Sequence, residues 1–168
     1  MGPSHRRRCL RSREKGGSAT GPNPVDRGKN GSKLHILTEA GGLPLAVAVS
    51  GANTHDMNAL KPLVHAIPDV RSPRGPRRSR PAKLHADKGY DYDELRGWLR
   101  NRNIVPCIAR IGVESSARLG RYRWRVERSF SWLLNYRRLG VRWERNAANF
   151  AGFLTLAATL TCYKKLPK

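Results

Sequence analysis

Two carboxylates stand out in a chain otherwise dominated by cations. Asp87 lies in Lys83-Leu-His-Ala-Asp-Lys-Gly-Tyr-Asp91. Leu84 and Ala86 alternate there with His85, so a short strand should deliver Asp87 at its carboxyl tip, and Gly89 should let the backbone turn away. The carboxyl ends of strands in an α/β sheet are where such folds place ligands and chemistry. Glu127 lies in Arg123-Trp-Arg-Val-Glu-Arg128, helical sequence crowded with arginine. Each acid also has an ordinary explanation: a solvated turn aspartate for Asp87, and an Arg–Glu helix pair of little energetic weight for Glu127. Their joint presence in one basic chain makes them candidates.

The elements that must position them can be read from periodicity. Residues 1–20 carry almost nothing apolar and read as a basic, disordered arm. A turn-rich cluster, Gly21 to Ser32, carries Asp26, Arg27 and Lys29 and leads into a strand from Lys33 to Thr38. Ala40-Gly-Gly42 closes a hairpin onto a buried antiparallel strand, Leu43 to Val49. Asn53-Thr-His-Asp56 enters a helix with Leu60, Leu63, Val64 and Ile67 on one face, in which Pro62 fits only in the first turn. Pro68 to Pro81, with its prolines and arginines, reads as a basic connector without regular structure.

After the strand bearing Asp87, Asp91 followed by Glu94 suggests a capping box for a helix buried through Leu95, Trp98 and Leu99. Asn103 to Arg110 should be an edge strand, because Pro106 cannot donate a ladder hydrogen bond. Residues 111–121 read as a loop. Arg123 to Leu139 is a helix with Val126, Phe130 and Leu133 on its buried face, and Arg123, Glu127 and Ser131 on another. A last helix from about Ala147 to Cys162 should pack on the sheet through Phe150, Phe153, Leu154, Ala157 and Leu160.

The charge narrows the partners. The 168 residues hold 33 Lys and Arg against 12 Asp and Glu, a formal charge of +21. Self-repulsion of that size destabilises a compact state unless a polyanion screens it, which points to nucleic acid. No apolar run is long enough to span a bilayer, and the basic N-terminus lacks the apolar core of a secretory signal. Cys9, Cys107 and Cys162 are scattered, with neither a disulfide framework nor a zinc pattern, so a reducing cytoplasm is the expected compartment.

Taken in order, Gly21-Pro-Asn-Pro-Val-Asp-Arg-Gly-Lys-Asn-Gly-Ser-Lys, Gly51-Ala-Asn-Thr-His-Asp56, Ala86-Asp-Lys-Gly-Tyr-Asp91, Arg123-Trp-Arg-Val-Glu-Arg128 and Tyr136-Arg-Arg-Leu139 resemble the catalytic half of bacterial insertion-sequence transposases. The group is the DDE type related to insertion sequence five, and the likeness runs from about Lys15 to the C-terminus. The resemblance implies an α/β, ribonuclease-H-like mixed sheet flanked by helices, spanning residues 21–168. It implies DNA cutting and joining with two Mg²⁺ (or Mn²⁺) ions bound at Asp87 and Glu127, the second aspartate and the glutamate of the family. Two such ions, about 3.5 to 4 Å apart, neutralise the attacking and leaving oxygens of an in-line displacement.

The resemblance also implies phosphate contacts from Arg123, Lys88, Arg27, Lys29 and Arg128, with Tyr90 either stacked on an unpaired base or packed in the core. The family's signature tyrosine falls on Gly120 and its lysine on Leu134. Partners would be the element's terminal inverted repeats and target DNA, with a homo-oligomer forming when the enzyme is complete, in the nucleoid of a bacterial cytoplasm and with no membrane.

The family's first catalytic aspartate belongs to an opening strand, where this chain has only Ser4-His-Arg-Arg-Arg-Cys-Leu. The expectation is a truncated domain lacking its first strand, inactive by itself: a frameshift-fused half or a decayed remnant. The alternative is a non-catalytic basic nucleic-acid-binding protein, followed by a ribonuclease or resolvase on the same fold.

Overall fold

The computed structural model describes residues 4–11, 17–24, 26–71, 75–112 and 116–166. Side chains of residues 4–11 and 116–123, including that of Arg123, lie outside the described part. So do residues 1–3 and 12–16 of the expected arm, residues 72–74 of the connector and residues 113–115 of the expected loop.

The sheet is organised around β3 (Asn30–Thr38), which is buried on both faces from Gly31 to Thr38. Its hairpin partner β4 (Pro44–Gly51) runs antiparallel on one side, as the Ala40-Gly-Gly42 turn implies, and the two-residue strand β2 (Gly21–Pro22) continues that side beside Asn30 and Gly31. On the other side lies β1 (Ser4–Arg11), antiparallel to β3 with Ser4 opposite Thr38 and Arg11 opposite Gly31. β1 also pairs in parallel with β7 (Lys83–Ala86), which pairs in parallel with the edge strand β8 (Val105–Ile108). The order is therefore β4-β3-β1-β7-β8, an antiparallel half joined to a parallel half.

This corrects the expectation of a missing first strand and of a disordered arm through residues 4–11. The physical reason is that strand pairing uses backbone groups. β3 and β7 each present a row of N–H and C=O groups that must find partners, and Ser4–Arg11 supplies them whatever its side chains are.

Helices cover both faces. On one face α1 (Met57–His65) and α2 (Asp93–Asn101) enclose a core of Leu37, Leu60, Leu63, Leu84, Tyr90, Leu95, Leu99 and Ile104. On the other, α3 (Ser116–Leu134), the short α4 (Arg137–Gly140) and α5 (Ala147–Lys164) enclose Leu34, Ile36, Val126, Phe130, Leu133, Leu139, Phe150 and Leu154. β3 feeds both cores because alternate side chains point to opposite faces. At about 1.5 to 3 kcal/mol for each fully buried aliphatic side chain, these two layers supply the main drive for folding.

Several local expectations are corrected. Pro62 sits in the second turn of α1, where its exposed ring faces water and the helix does without one hydrogen bond. The connector forms a small two-stranded ladder, β5 (Val70–Arg71) with β6 (Arg77–Arg78). α3 begins at Ser116, inside the expected loop, and stops at Leu134. α5 buries Phe150, Leu154, Ala157, Ala158 and Thr161, whereas Phe153 and Leu160 are exposed. That helix is apolar on nearly every side, so periodicity alone could not choose its inner face. β8 at the sheet edge, with Pro106 opposite Leu84, agrees with the reading of Pro106.

Candidate functional site

Asp87 follows the last residue of β7 with an extended backbone, and its Oδ1 accepts a hydrogen bond of 2.9 Å from the Gly89 amide. A single 3₁₀ turn, Lys88–Tyr90, follows. Tyr90 is wholly buried among Leu84, Leu95 and Leu99, so it anchors the turn as a core residue and is not available to stack on a base. The arrangement leaves the half-exposed Asp87 carboxylate at the carboxyl tip of a parallel strand.

Asp91 is not a helix cap. Residue 92 occupies the cap position of α2, and Asp91 instead accepts from Arg96 Nε and Nη2 at 2.8 and 2.6 Å and from the Ile111 amide at 2.8 Å. Arg96 also donates to the Ile108 carbonyl at 2.8 Å, so one acid ties the turn after Asp87 to the exit of β8. These hydrogen bonds, from Ile111 first and then Arg96, hold the Asp91 carboxyl below the usual aspartate range. Glu94, expected to complete the cap, pairs with Lys61 at 2.5 Å.

A further acid reaches this turn. Asp56 precedes α1 without capping it, and its Oδ1 lies 3.1 Å from Lys33 Nζ, which also donates to the Thr54 carbonyl at 2.7 Å. A Cβ placed on Gly89 would lie 3.1 Å from Asp87 Oδ1 and 3.9 Å from Asp56 Oδ2, so the two carboxylates converge on the space above that glycine. Next to Asp56, His55 Nε2 lies 2.9 Å from the Tyr92 hydroxyl. The Asn53-Thr-His-Asp56 and Asp87-Lys-Gly-Tyr-Asp91 segments are thus packed together. Sequence reading missed the Lys33–Asp56 pair, although a lysine inside a fully buried strand is itself a signal that a counter-charge must be near.

Glu127 is exposed on α3, beside the buried Val126. This part of the helix is fastened to the β3–β4 turn, where Arg128 Nη2 donates to the Gly41 carbonyl and Ser129 Oγ to the Gly42 carbonyl. In β7, the His85 pKa is lowered by burial first and then by positive charge, that of Lys83 before that of Arg125. Arg125 stands two residues before Glu127, and His85 two residues before Asp87. α3 packs on β1 and β3, and β1 stands between β3 and β7.

The remaining candidates are dispersed. Lys88 belongs to the 3₁₀ turn. Arg27, with a left-handed backbone at φ 50°, and Lys29, 3.9 Å from Asp26, lie on the surface turn that precedes Asn30. Leu37 of β3 is in register with His5 and so with Ala86, and at about 3.3 Å per residue the start of β3 stands on the order of 20 Å from Asp87. Among the described residues, no three His, Cys, Asp or Glu side chains gather as a metal-binding group, and no helix is long and apolar enough to cross a membrane.

Residues 6–162 match the family model of the transposase DDE domain. The chain belongs to that family. It is 47% identical over 163 residues to a putative transposase for insertion sequence element IS402 of Burkholderia cepacia, covering 97% of this chain and 77% of the relative. It is also 26% identical over 135 residues to a putative transposase for insertion sequence element IS6501 of Brucella ovis, covering 77% of this chain and 95% of the relative. The transposase DDE match runs from within β1 to within α5, so the turn after β7 and the exposed face of α3 are parts of one insertion-sequence transposase domain.

Proposed function

We infer that this chain is the catalytic part of a transposase of the group related to insertion sequence five, a ribonuclease-H-like domain that cuts and joins DNA at element ends, and that it does not complete the reaction alone. The observation that carries the reading is the position of Asp87 at the carboxyl end of β7, one strand from Ser4–Arg11 in the order β4-β3-β1-β7-β8. The likeness of Arg123-Trp-Arg-Val-Glu-Arg128 to the family's signature supports Glu127, exposed on α3, as the second acid. The charge of +21 suits a phosphodiester substrate, with Lys88, Arg123, Arg128, Arg27 and Lys29 as backbone contacts.

Transposases of this family generally use divalent metal ions. Asp87 and Glu127 offer the hard carboxylate oxygens that Mg²⁺ or Mn²⁺ takes. Asp56 reaches the Asp87 turn but is paired with Lys33, no three His, Cys, Asp or Glu side chains gather as a metal-binding group among the described residues, and β1, the strand beside β7, has the sequence Ser-His-Arg-Arg-Arg-Cys-Leu-Arg. The residues present therefore fall short of a two-ion site. In this chain Asp87 and Glu127 hold fixed negative charge near the DNA backbone, and the surrounding cations bind and orient it.

The test is incubation of the purified chain with duplex DNA carrying element ends, in Mg²⁺ or Mn²⁺. Binding without strand cleavage is expected, and cleavage with no upstream segment added would overturn the incomplete-site reading. With the upstream segment supplied, Asp87→Asn and Glu127→Gln should each abolish cleavage; retained cleavage in either variant removes that acid from the mechanism. The non-catalytic reading, favoured by the acid-free β1, predicts no preference for an inverted-repeat end over random duplex.

A further inference from the structure

We propose that the outer face of α5 is the surface through which two copies of this chain pair about a twofold axis near Leu156. α5 packs on β4, α3 and α4, and buries Phe150, Leu154, Ala157, Ala158 and Thr161. On the side turned away from these, Gly152, Leu156, Leu160 and Tyr163 succeed one another at intervals of three or four residues and form one stripe. Leu156 is 55% exposed and Tyr163 72%, and Leu166, just beyond the helix, is exposed as well. Phe153 lies at the margin, where the Arg138 guanidinium carbon stands 5.1 Å from its ring. A helix that is apolar all round belongs in an interior, and the single chain covers only one side of α5. A contiguous apolar stripe left in water marks a surface that a partner covers.

Charge selects the occupant. From Ala147 to Tyr163 the sequence holds no Lys, Arg, Asp, Glu or His, in a chain that is 27% charged and carries +21. A polyanion finds no cation on this stripe, so nucleic acid is not what covers it. A second copy is repelled wherever cations meet cations, and least where the contact itself is uncharged. The stripe is also complementary to itself. Glycine weakens a helix interior, and a Cβ placed on Gly152 would meet no atom within 4 Å among the described residues, so the packing within one chain does not call for it. When two antiparallel copies of α5 cross at Leu156, Gly152 stands opposite Leu160 of the partner subunit, and the missing side chain leaves a hole that the leucine fills, twice by symmetry. A helix pair of this size lies near the lower limit of stable interfaces, on the order of 1,000 Å² in all, so the dimer is reversible. The pairing needs neither DNA nor a complete catalytic site, and does not rest on the functional reading above.

The experiment is sedimentation equilibrium of the whole purified chain, without DNA or metal, over a range of concentrations at about 0.15 and 1 M salt. The parent should populate a dimer whose dissociation constant falls as salt rises, because screening removes the repulsion between two cationic bodies while the apolar contact persists. Leu156→Arg sets two like charges together on the axis and should weaken the dimer at least about 10-fold. Ile111→Arg makes the same charge change at an exposed side chain elsewhere and should leave it intact. Gly152→Leu should weaken the dimer by filling the hole, yet keep a thermal midpoint equal to or above that of the parent at a concentration where both are monomeric. A parent that stays monomeric throughout overturns the proposal, including one that binds phospholipid vesicles or a co-expressed upstream segment through this stripe instead. So does a dimer that weakens with salt, that survives Leu156→Arg or Gly152→Leu, or that Ile111→Arg disrupts equally. Because neither cleavage nor DNA binding is measured, failure of this pairing and failure of the Asp87 and Glu127 assignments are told apart.

Discussion

The Lys33 ammonium lies 3.1 Å from a carboxylate oxygen of Asp56, and both side chains are more than nine-tenths buried. β3 thus carries a charge into the centre of the sheet, and the residue before α1 neutralises it while its other oxygen faces the glycine of the Asp87 turn. Removing one partner strands the other charge away from water. Asp56→Ala should cost about 3 to 5 kcal/mol in urea denaturation. The double variant Lys33→Met with Asp56→Leu should be less destabilised than Asp56→Ala, since an apolar pair leaves no charge unpaired. Equal or greater loss in the double variant would show that the pair is worth more than its desolvation.

Arg142 is wholly buried and serves as a knot between distant segments. Its guanidinium donates to the carbonyls of Ser18, Ala19, Glu144 and Arg145 and to the hydroxyls of Thr20 and Ser32, at distances from 2.6 to 3.1 Å. A planar fork can reach all of these at once, and an ammonium cannot. Arg142→Lys is expected to lower stability by about 2 to 4 kcal/mol, with acceptors left unsatisfied. A thermal midpoint within experimental error of the parent would refute this.

His85 of β7 is held in a partly buried and positively charged setting. Its pKa is lowered by burial and by the charges of Lys83 and Arg125, so the fold favours the neutral ring. A depressed folded-state value means that this contribution is complete above the ordinary histidine pKa and is lost as pH falls through the folded value. Arg125→Gln should raise the His85 pKa toward the ordinary value in an NMR titration of its ring protons. No movement would mean that the Arg125 charge does not act on His85.

Asp91 makes the opposite kind of contact, with donors that favour its charged form. Its depressed pKa gives a contribution present above the ordinary aspartate range and lost as pH falls through the lower folded value. Asp91→Asn removes that charge at every pH. It should loosen the strap between the Asp87 turn and Ile111, seen as faster amide exchange at Ile111 under neutral conditions. Parent-like protection of that amide would contradict the role assigned to Asp91.

What the sequence by itself determined was local. The β3–β4 hairpin, the strand that ends at Asp87, the edge position of β8 and the Val126, Phe130 and Leu133 stripe of α3 all follow from repeat spacing and turn chemistry, which act between near neighbours. Only the tertiary structure decided the contacts between remote segments. It drew an arginine-rich stretch with no apolar pattern into the middle of the sheet, because open strand edges demand backbone partners. It turned Asp91 from an expected cap into a strap, since Arg96 and the Ile111 amide offered stronger donors than the helix start. It brought Asp56 to Lys33 and chose the inner face of α5, because the partner of a buried charge, or of a uniformly apolar helix, lies far along the chain.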